Sequence, residues 1–286
     1  MGQEKQTEIE EAVNQPIVRC PVCFREVWHR YDITDHNNDR ALWHHCFCGC
    51  FFHAEPILKP HLVFNEEYRA KYKDLCRIKT RISYAARTYM PVIEEITWGR
   101  KFLDVGYCVP YFIDALKERG WITWGIDLLT PSGNDTKIIQ GDFLTYEFGI
   151  KRFDMILMGD VLQCFINPIS AIKKAYKLLH PGGVLLVWTP DASQLWLVGS
   201  RSWAHWNRKE HRVYFDGNKF KEIAQKMGFD LVYFWRDVNP RFPSIYTFHS
   251  ILQKPYIRLD TEDIANVMEE KKNGKTDQSG NNKCSS

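Results

Sequence analysis

The stretch Lys101-Phe102-Leu103-Asp104-Val105-Gly106-Tyr107-Cys108-Val109-Pro110-Tyr111-Phe112 reads as a buried strand that ends in a glycine turn and enters a helix. Phe102, Leu103 and Val105 form a short apolar run, and Gly106 lets the backbone turn sharply and approach a ligand closely. Pro110 suits the first turn of a helix, where its missing N–H costs nothing. The helix carries its apolar residues at helical spacing and stops at Gly120. Its free N-terminal N–H groups face the turn, which is how such turns hold ligands.

Four more apolar runs of the same kind follow, TWGIDLL from Thr123, KIIQGDF from Lys137, FDMILMGD from Phe153 and GVLLVWTP from Gly183. Helical patterns lie among and after them. The segment from Asn167 to Gly183 has Ile169, Ile172, Ala175, Tyr176 and Leu179 on one face and is closed by Pro181 and Gly182. The segment from Asn218 repeats the pattern with Phe220, Ile223, Ala224 and Met227, and Gly228 is its C-cap candidate. This order predicts an α/β fold, a Rossmann-like doubly wound parallel sheet with its ligand crevice at the carboxyl ends of the strands.

The spacing resembles that of class I S-adenosylmethionine (SAM) dependent methyltransferases, of the type 11/23 small-molecule group. That family's first strand ends in an acidic-x-Gly-x-Gly-x-Gly turn, which Asp104 and Gly106 match. An acidic residue closing the second strand, here Asp127, holds the ribose hydroxyls, and Gly141-Asp142-Phe143 matches the carboxylate and apolar neighbour of the adenine. Leu179-His180-Pro181-Gly182-Gly183 matches the family's turn before the fifth strand. The resemblance implies SAM contacts from Asp104, Gly106, Cys108, Asp127, Leu128, Asp142, Phe143 and Gly159. Cys108 and Pro110 depart from it, standing where the family has its second and third glycines. A nicotinamide enzyme would need G-x-G-x-x-G, which Gly106-Tyr-Cys-Val-Pro-Tyr does not supply.

Five of the nine cysteines fall between Cys20 and Cys50, and such clustering in a reducing compartment points to zinc rather than disulfides. Cys20-Pro-Val-Cys23 is one zinc-knuckle half. The second half lies in His45-Cys46-Phe47-Cys48-Gly49-Cys50 and admits three pairings, His45 with Cys48, Cys46 with Cys48, or Cys46 with Cys50. The expected set is Cys20, Cys23, Cys46 and Cys48 around a structural Zn2+, because a segment of this size cannot bury enough apolar surface to fold alone. Methyl transfer from a sulfonium needs no metal-activated water.

The 286 residues, 44% hydrophobic and 26% charged with a net charge of +3, suit a globular α/β domain plus a small appendage. The charge falls short of a dedicated nucleic-acid binder. No apolar run reaches bilayer-spanning length and the first residues are polar, so a cytoplasmic protein without membrane insertion is expected. The organisation read from the sequence is a flexible segment 1–16, a zinc-ribbon-like module 17–60, a helical connector 61–96, the SAM domain 97–256 and a disordered tail 257–286.

The acceptor pocket is expected from the segment Gly159 to Phe165 and from the stretch Pro190 to Phe215, rich in Trp, His and Arg. That stretch resembles the acceptor segment of ubiquinone-type and sugar-modifying O- and C-methyltransferases, which makes His211 the candidate base, with Asp160 and His205 behind it. Trp203 and Trp206 suit either a pocket wall or the core. A zinc ribbon ahead of a SAM domain resembles bacterial and phage enzymes of sugar and cell-surface biosynthesis, so the favoured acceptor is a small molecule or glycan. The alternative is RNA: zinc plus SAM is also similar to certain ribosomal-RNA guanine methyltransferases, and a basic helical run from Arg69 to Arg87 includes Lys71, Lys73 and Arg77. Gly159-Asp160 stands in place of an Asn- or Asp-Pro-Pro-aromatic motif, against methylation of exocyclic base amines. A third reading is a non-catalytic SAM-fold scaffold, resting on Cys108 and Pro110.

Overall fold

The computed structural model describes residues 18–34, 40–53, 63–73, 76–129, 137–195, 203, 205–207, 209–238 and 246–256. The expected flexible ends at 1–16 and 257–286 lie outside these residues, as do the side chains of Lys71, Lys73 and Arg77. Among the described residues no helix is long and apolar enough to cross a membrane.

A seven-stranded sheet forms the body of the chain. Its strands are β4 (Lys101–Val105), β5 (Ile122–Asp127), β6 (Ile138–Gln140), β7 (Phe153–Gly159), β8 (Leu179–Pro190), β10 (Asp230–Val238) and β11 (Tyr246–Gln253). The order is β10-β11-β8-β7-β4-β5-β6. β11 alone runs against its neighbours, pairing antiparallel with β8 and β10, while β4 to β8 pair in parallel. The order reverses direction at β4, so the crevice at its carboxyl end is open to a ligand. The five strands expected from the sequence are all present, and β10 and β11 extend them.

Both faces of the sheet are covered. On one face α2 (Cys76–Ile96) and α3 (Tyr111–Glu118) place Tyr89, Met90, Ile93, Phe112, Ile113 and Leu116 against Phe102, Met155, Leu157 and Leu186. On the other, α4 (Pro168–Leu178) and α5 (Gly217–Lys226) set Ile169, Ile172, Ala175, Phe220 and Ala224 against Leu103, Ile156, Met158 and Val187. Successive residues of β7 therefore serve opposite faces, as a strand's period of two requires. Asn167 caps α4 by accepting the Ser170 N–H at 3.0 Å, with Pro168 in the first turn. Asp216 caps α5 through the N–H groups of Asn218 and Lys219. The helix before β8 ends at Leu178, earlier than Pro181, because Leu179 already pairs with Phe153 and the ladder then skips to Val184 opposite Met155.

The cysteine segment builds a second sheet of β1 (Arg30–Thr34), β2 (Arg40–His45), β3 (Phe51–Phe52) and β9 (Val213–Tyr214). β9 comes from the stretch after β8, and Phe51 and Phe52 pair with Tyr214 and Val213. Trp203 and Trp206 are buried core residues here, packed on Trp43 and Tyr214. α1 (Glu66–Lys73) leads into the long helix α2.

Candidate functional site

A cleft open to solvent lies at the carboxyl ends of β4, β5 and β7, where open parallel sheets bind their ligands. Gly106, Cys108, Asp127, Leu128, Asp142, Phe143 and Asp160 line it, together with Phe64, Tyr68, Cys164, Phe165 and Arg212. Asp104 and Gly159 are not among the lining residues. Asp104 lies buried in β4 below the turn, and Gly159 packs under the Trp188 ring, which a Cβ there would meet at 2.4 Å.

The turn after β4 is built by its sequence. Gly106 has φ +73, and a Cβ on it would stand 2.5 Å from Val161, so neither its conformation nor its surroundings admit a side chain. Cys108 takes φ 47, a conformation that costs a non-glycine residue roughly 1–2 kcal/mol. The Asp127 carboxylate holds it there, one oxygen accepting the Cys108 N–H at 2.9 Å and the other the Leu129 N–H at 2.9 Å. Pro110 is the cap residue ahead of α3, its carbonyl accepting the Asp114 N–H at 2.8 Å.

Burial governs the charges. Asp104 is pushed up to about 8, first by burial and then by the neighbouring Asp127. Asp127 is raised by burial, an effect opposed by the N–H groups of Leu129 and Cys108. Burial also lifts the Cys108 thiol to about 12. Asp142 sits in the loop after β6, where its carboxylate accepts the Leu144 N–H at 2.8 Å, and Phe143 is buried beside Phe148 and Phe165.

Arg69 of α1 was outside the site residues expected from the sequence, since it begins a run that reads as a solvated basic face. It is 6% exposed. Its Nε donates to the Cys108 carbonyl at 3.2 Å and its Nη1 to Glu66 at 2.8 Å. Its Nη2 and the Tyr107 hydroxyl, both buried, have no hydrogen-bond partner among the described residues. Periodicity cannot separate a buried arginine from an exposed one. Arg212 was also missed, although it adjoins His211.

His211 is placed beside the cleft rather than in its lining. Its Nδ1 lies 3.1 Å from the His205 carbonyl and 3.0 Å from the Tyr214 hydroxyl, which itself donates to that carbonyl. Burial pushes its pKa down to about 4, leaving the ring neutral at pH 7. Asp160, with φ 52, turns into the cleft at the end of β7.

The sulfurs of Cys20, Cys23, Cys46 and Cys48 all lie within 4.8 Å of one another, with Cys20 to Cys48 at 3.8 Å and Cys23 to Cys46 at 3.4 Å. A tetrahedral zinc with Zn–S of about 2.3 Å needs sulfurs about 3.8 Å apart, so the donor set fits the metal. Each knuckle closes with a left-handed residue, Phe24 at φ 62 and Gly49 at φ 86. His45 stacks on Phe51 at 4.2 Å and is not one of this group of four. Cys50 is fully buried in the core outside the four.

Strand order and cleft together define an open α/β ligand-binding domain. Residues 67–233 match a family model described as a methyltransferase domain, over more than half of the chain. The chain belongs to this family, the SAM-dependent methyltransferases, with SAM as methyl donor. No curated protein matches the chain in sequence. Among solved structures it is similar to a SAM-dependent methyltransferase from Methanosarcina mazei, at 16% identity over 58% of this chain and 98% of that one, with a TM-score of 0.46. A SAM-dependent methyltransferase from Clostridium acetobutylicum is 10% identical over 66% and 98%, with a TM-score of 0.47. Magnesium protoporphyrin IX methyltransferase from Synechocystis with bound SAH is 13% identical over 62% and 83%, with a TM-score of 0.46.

Proposed function

We propose that the cleft methylates a small-molecule or glycan acceptor at oxygen or carbon. The observation that carries this reading is the largely apolar and aromatic lining of the cleft, where Phe64 and Tyr68 stand with Phe165 and Ile166 around the single arginine Arg212. Such walls suit a compact acceptor.

Bound SAM supplies a methyl group already activated by its sulfonium. The residues present fit it. Asp127 would hold the ribose hydroxyls, with Leu128 beside it, and Asp142 and Phe143 would hold the adenine. The orphaned donors of Arg69 and Tyr107 suit a carboxylate, and the buried carboxyl of Asp104 suits the positive end of the methionine portion. Gly106 and Cys108 bring the turn's backbone close, and Gly159 lets Trp188 close the floor under β7. Asp160 is positioned to take the acceptor's proton as its nucleophile gains the methyl group. His211, held by Tyr214 and His205, positions the adjoining wall. The four cysteines would hold a structural Zn2+, which would fix the knuckles and take no part in the transfer.

Of the basic run that suggested RNA, the first arginine, Arg69, is buried against the turn after β4 instead of facing solvent. Calorimetry with SAM, followed by methyl transfer from labelled SAM to panels of hydroxylated small molecules, free glycans and bulk RNA, tests the proposal. Label entering RNA alone refutes the acceptor class, and absence of heat with SAM refutes the cofactor site.

A further inference from the structure

We propose that Arg212 recognises an anionic group, a carboxylate or a phosphate, on the methyl acceptor, and that His53 of the cysteine module sets its orientation. This rests on reading the cleft as the methyl-transfer site. Arg212 is 6% exposed and yet lines the cleft. Taking a guanidinium out of water costs several kcal/mol, and burial lowers its pKa to about 10, so it keeps its charge at neutral pH. A buried cation on a cavity wall attracts an anion far more strongly than a surface arginine does, because the intervening medium screens less.

The guanidinium is aimed by its surroundings. The backbone of Arg212 is pinned on both sides, its N–H donating to the Gln163 carbonyl at 2.7 Å and its carbonyl accepting the His53 N–H at 3.2 Å. Gln163 is itself held through its side chain, which accepts the Thr189 hydroxyl at 2.8 Å. The His53 ring lies with Nε2 2.9 Å from the His211 carbonyl, so that nitrogen carries the proton. Arg212 Nη1 stands 3.3 Å from both His53 Nδ1 and Nε2, so the guanidinium packs against the imidazole ring as a whole. The Trp43 ring packs edge-on against His53 at 4.8 Å and keeps it in place. The cysteine module therefore reaches the arginine on the cleft wall through His53.

The position selects the acceptor over the cofactor. Asp127, Asp142 and Phe143 enter from the β5 and β6 side, whereas Arg212 enters from the segment before β9, against Gln163 and Cys164 of the turn after β7. Asp160 lines the cleft at the start of that same turn. An acceptor whose anion meets Arg212 is thus oriented relative to the residue that takes its proton.

The test titrates inorganic phosphate and acetate, separately, into the full-length protein with and without saturating SAH, and reads binding by calorimetry. Wild type is expected to bind one of the two anions, and the arm that responds distinguishes phosphate from carboxylate. Arg212→Gln should weaken that binding about tenfold or more, as loss of a charge-assisted hydrogen-bonding partner does, with SAH affinity unchanged. His53→Ala should weaken it less, and Arg212→Lys should restore part of it. Unchanged SAH affinity also shows that each variant is folded. Wild-type protein that binds neither anion, or Arg212→Gln with undiminished anion binding, overturns the proposal. So does Arg212→Gln losing SAH and anion equally, which would make Arg212 a cofactor ligand. Failure of wild type to bind SAH defeats the cofactor reading instead, and the arms without SAH still decide the role of Arg212.

Discussion

The carboxylate of Asp127 accepts the backbone N–H of Cys108 at 2.9 Å, tying the end of the second parallel strand to the turn after the first. One side chain thus shapes the turn and faces the cleft. Asp127→Ala removes both functions, and SAM affinity should fall by at least about a hundredfold, since two charge-assisted hydrogen bonds to backbone and the proposed ribose contact are lost together. Asp127→Asn keeps the shape but has one acceptor oxygen instead of two, and should lose less. Titration calorimetry with SAM and SAH gives both values, and equal affinity in wild type and Asp127→Ala would remove Asp127 from the cofactor site.

Cys108 sits at φ 47 where a glycine would carry no strain. Cys108→Gly should therefore stabilise the protein by up to about 1 kcal/mol, less the entropy that glycine adds to the unfolded chain. Cys108→Val, branched at Cβ, should destabilise it. Thermal unfolding should show these as shifts of roughly 2–4 °C per kcal/mol in a domain of this size. Retained SAM binding in Cys108→Gly would show that the departure from the family's glycine pattern is tolerated rather than disabling.

The sheet was legible because its central strands are buried on both faces and their sequences are nearly continuous apolar runs ending in Gly, Asp or Pro. The ligand side of the cleft was legible for the same reason: Asp127 and Asp142 are fixed by strand ends, which local sequence marks. β10 and β11 were harder to see, since Asp230 to Val238 mixes Tyr233, Arg236 and Asp237 with apolar residues. The wall of the cleft was not legible. Arg69 and Arg212 reach it from separate segments, and only the pairing of β3 with β9 brings His53 to Arg212. Local pattern had left three pairings for the second knuckle, and of these it is Cys46 with Cys48 whose sulfurs lie within 4.8 Å of those of Cys20 and Cys23.

Cys50 lies against Cys48 yet is not one of the four cysteines whose sulfurs all stand within 4.8 Å of one another. Purified protein should contain about one zinc per chain, and Cys20→Ser should lose it. Cys50→Ala should keep the metal while losing stability, because Cys50 is fully buried in the core. Elemental analysis of the three proteins checks this. Zinc lost from Cys50→Ala but kept in Cys20→Ser would reverse the assignment. Chelation should also lower the melting temperature of wild type, as β3 and its partner β9 depend on the knuckles for their position.

Asp104 gives the site a pH dependence whose sign is set by burial. Its carboxyl stands at about 8 in the folded protein against an ordinary 3.8. Between those values the folded state binds a proton that the unfolded state does not, so Asp104 makes stability fall as pH rises through that window, and Asp104→Asn should remove this slope. Cofactor binding runs the other way. The positive charge of SAM favours the ionised carboxylate, so at pH 6.5 binding should expel close to one proton, and SAM affinity should climb as pH rises towards 8. Calorimetry at pH 6.5 in two buffers of different ionisation enthalpy measures the proton directly. Asp104→Asn should bind SAM with a smaller proton release than wild type, the raised Asp127 carboxyl remaining, and a buffer-independent heat in wild type would show that Asp104 does not meet the cofactor's charge.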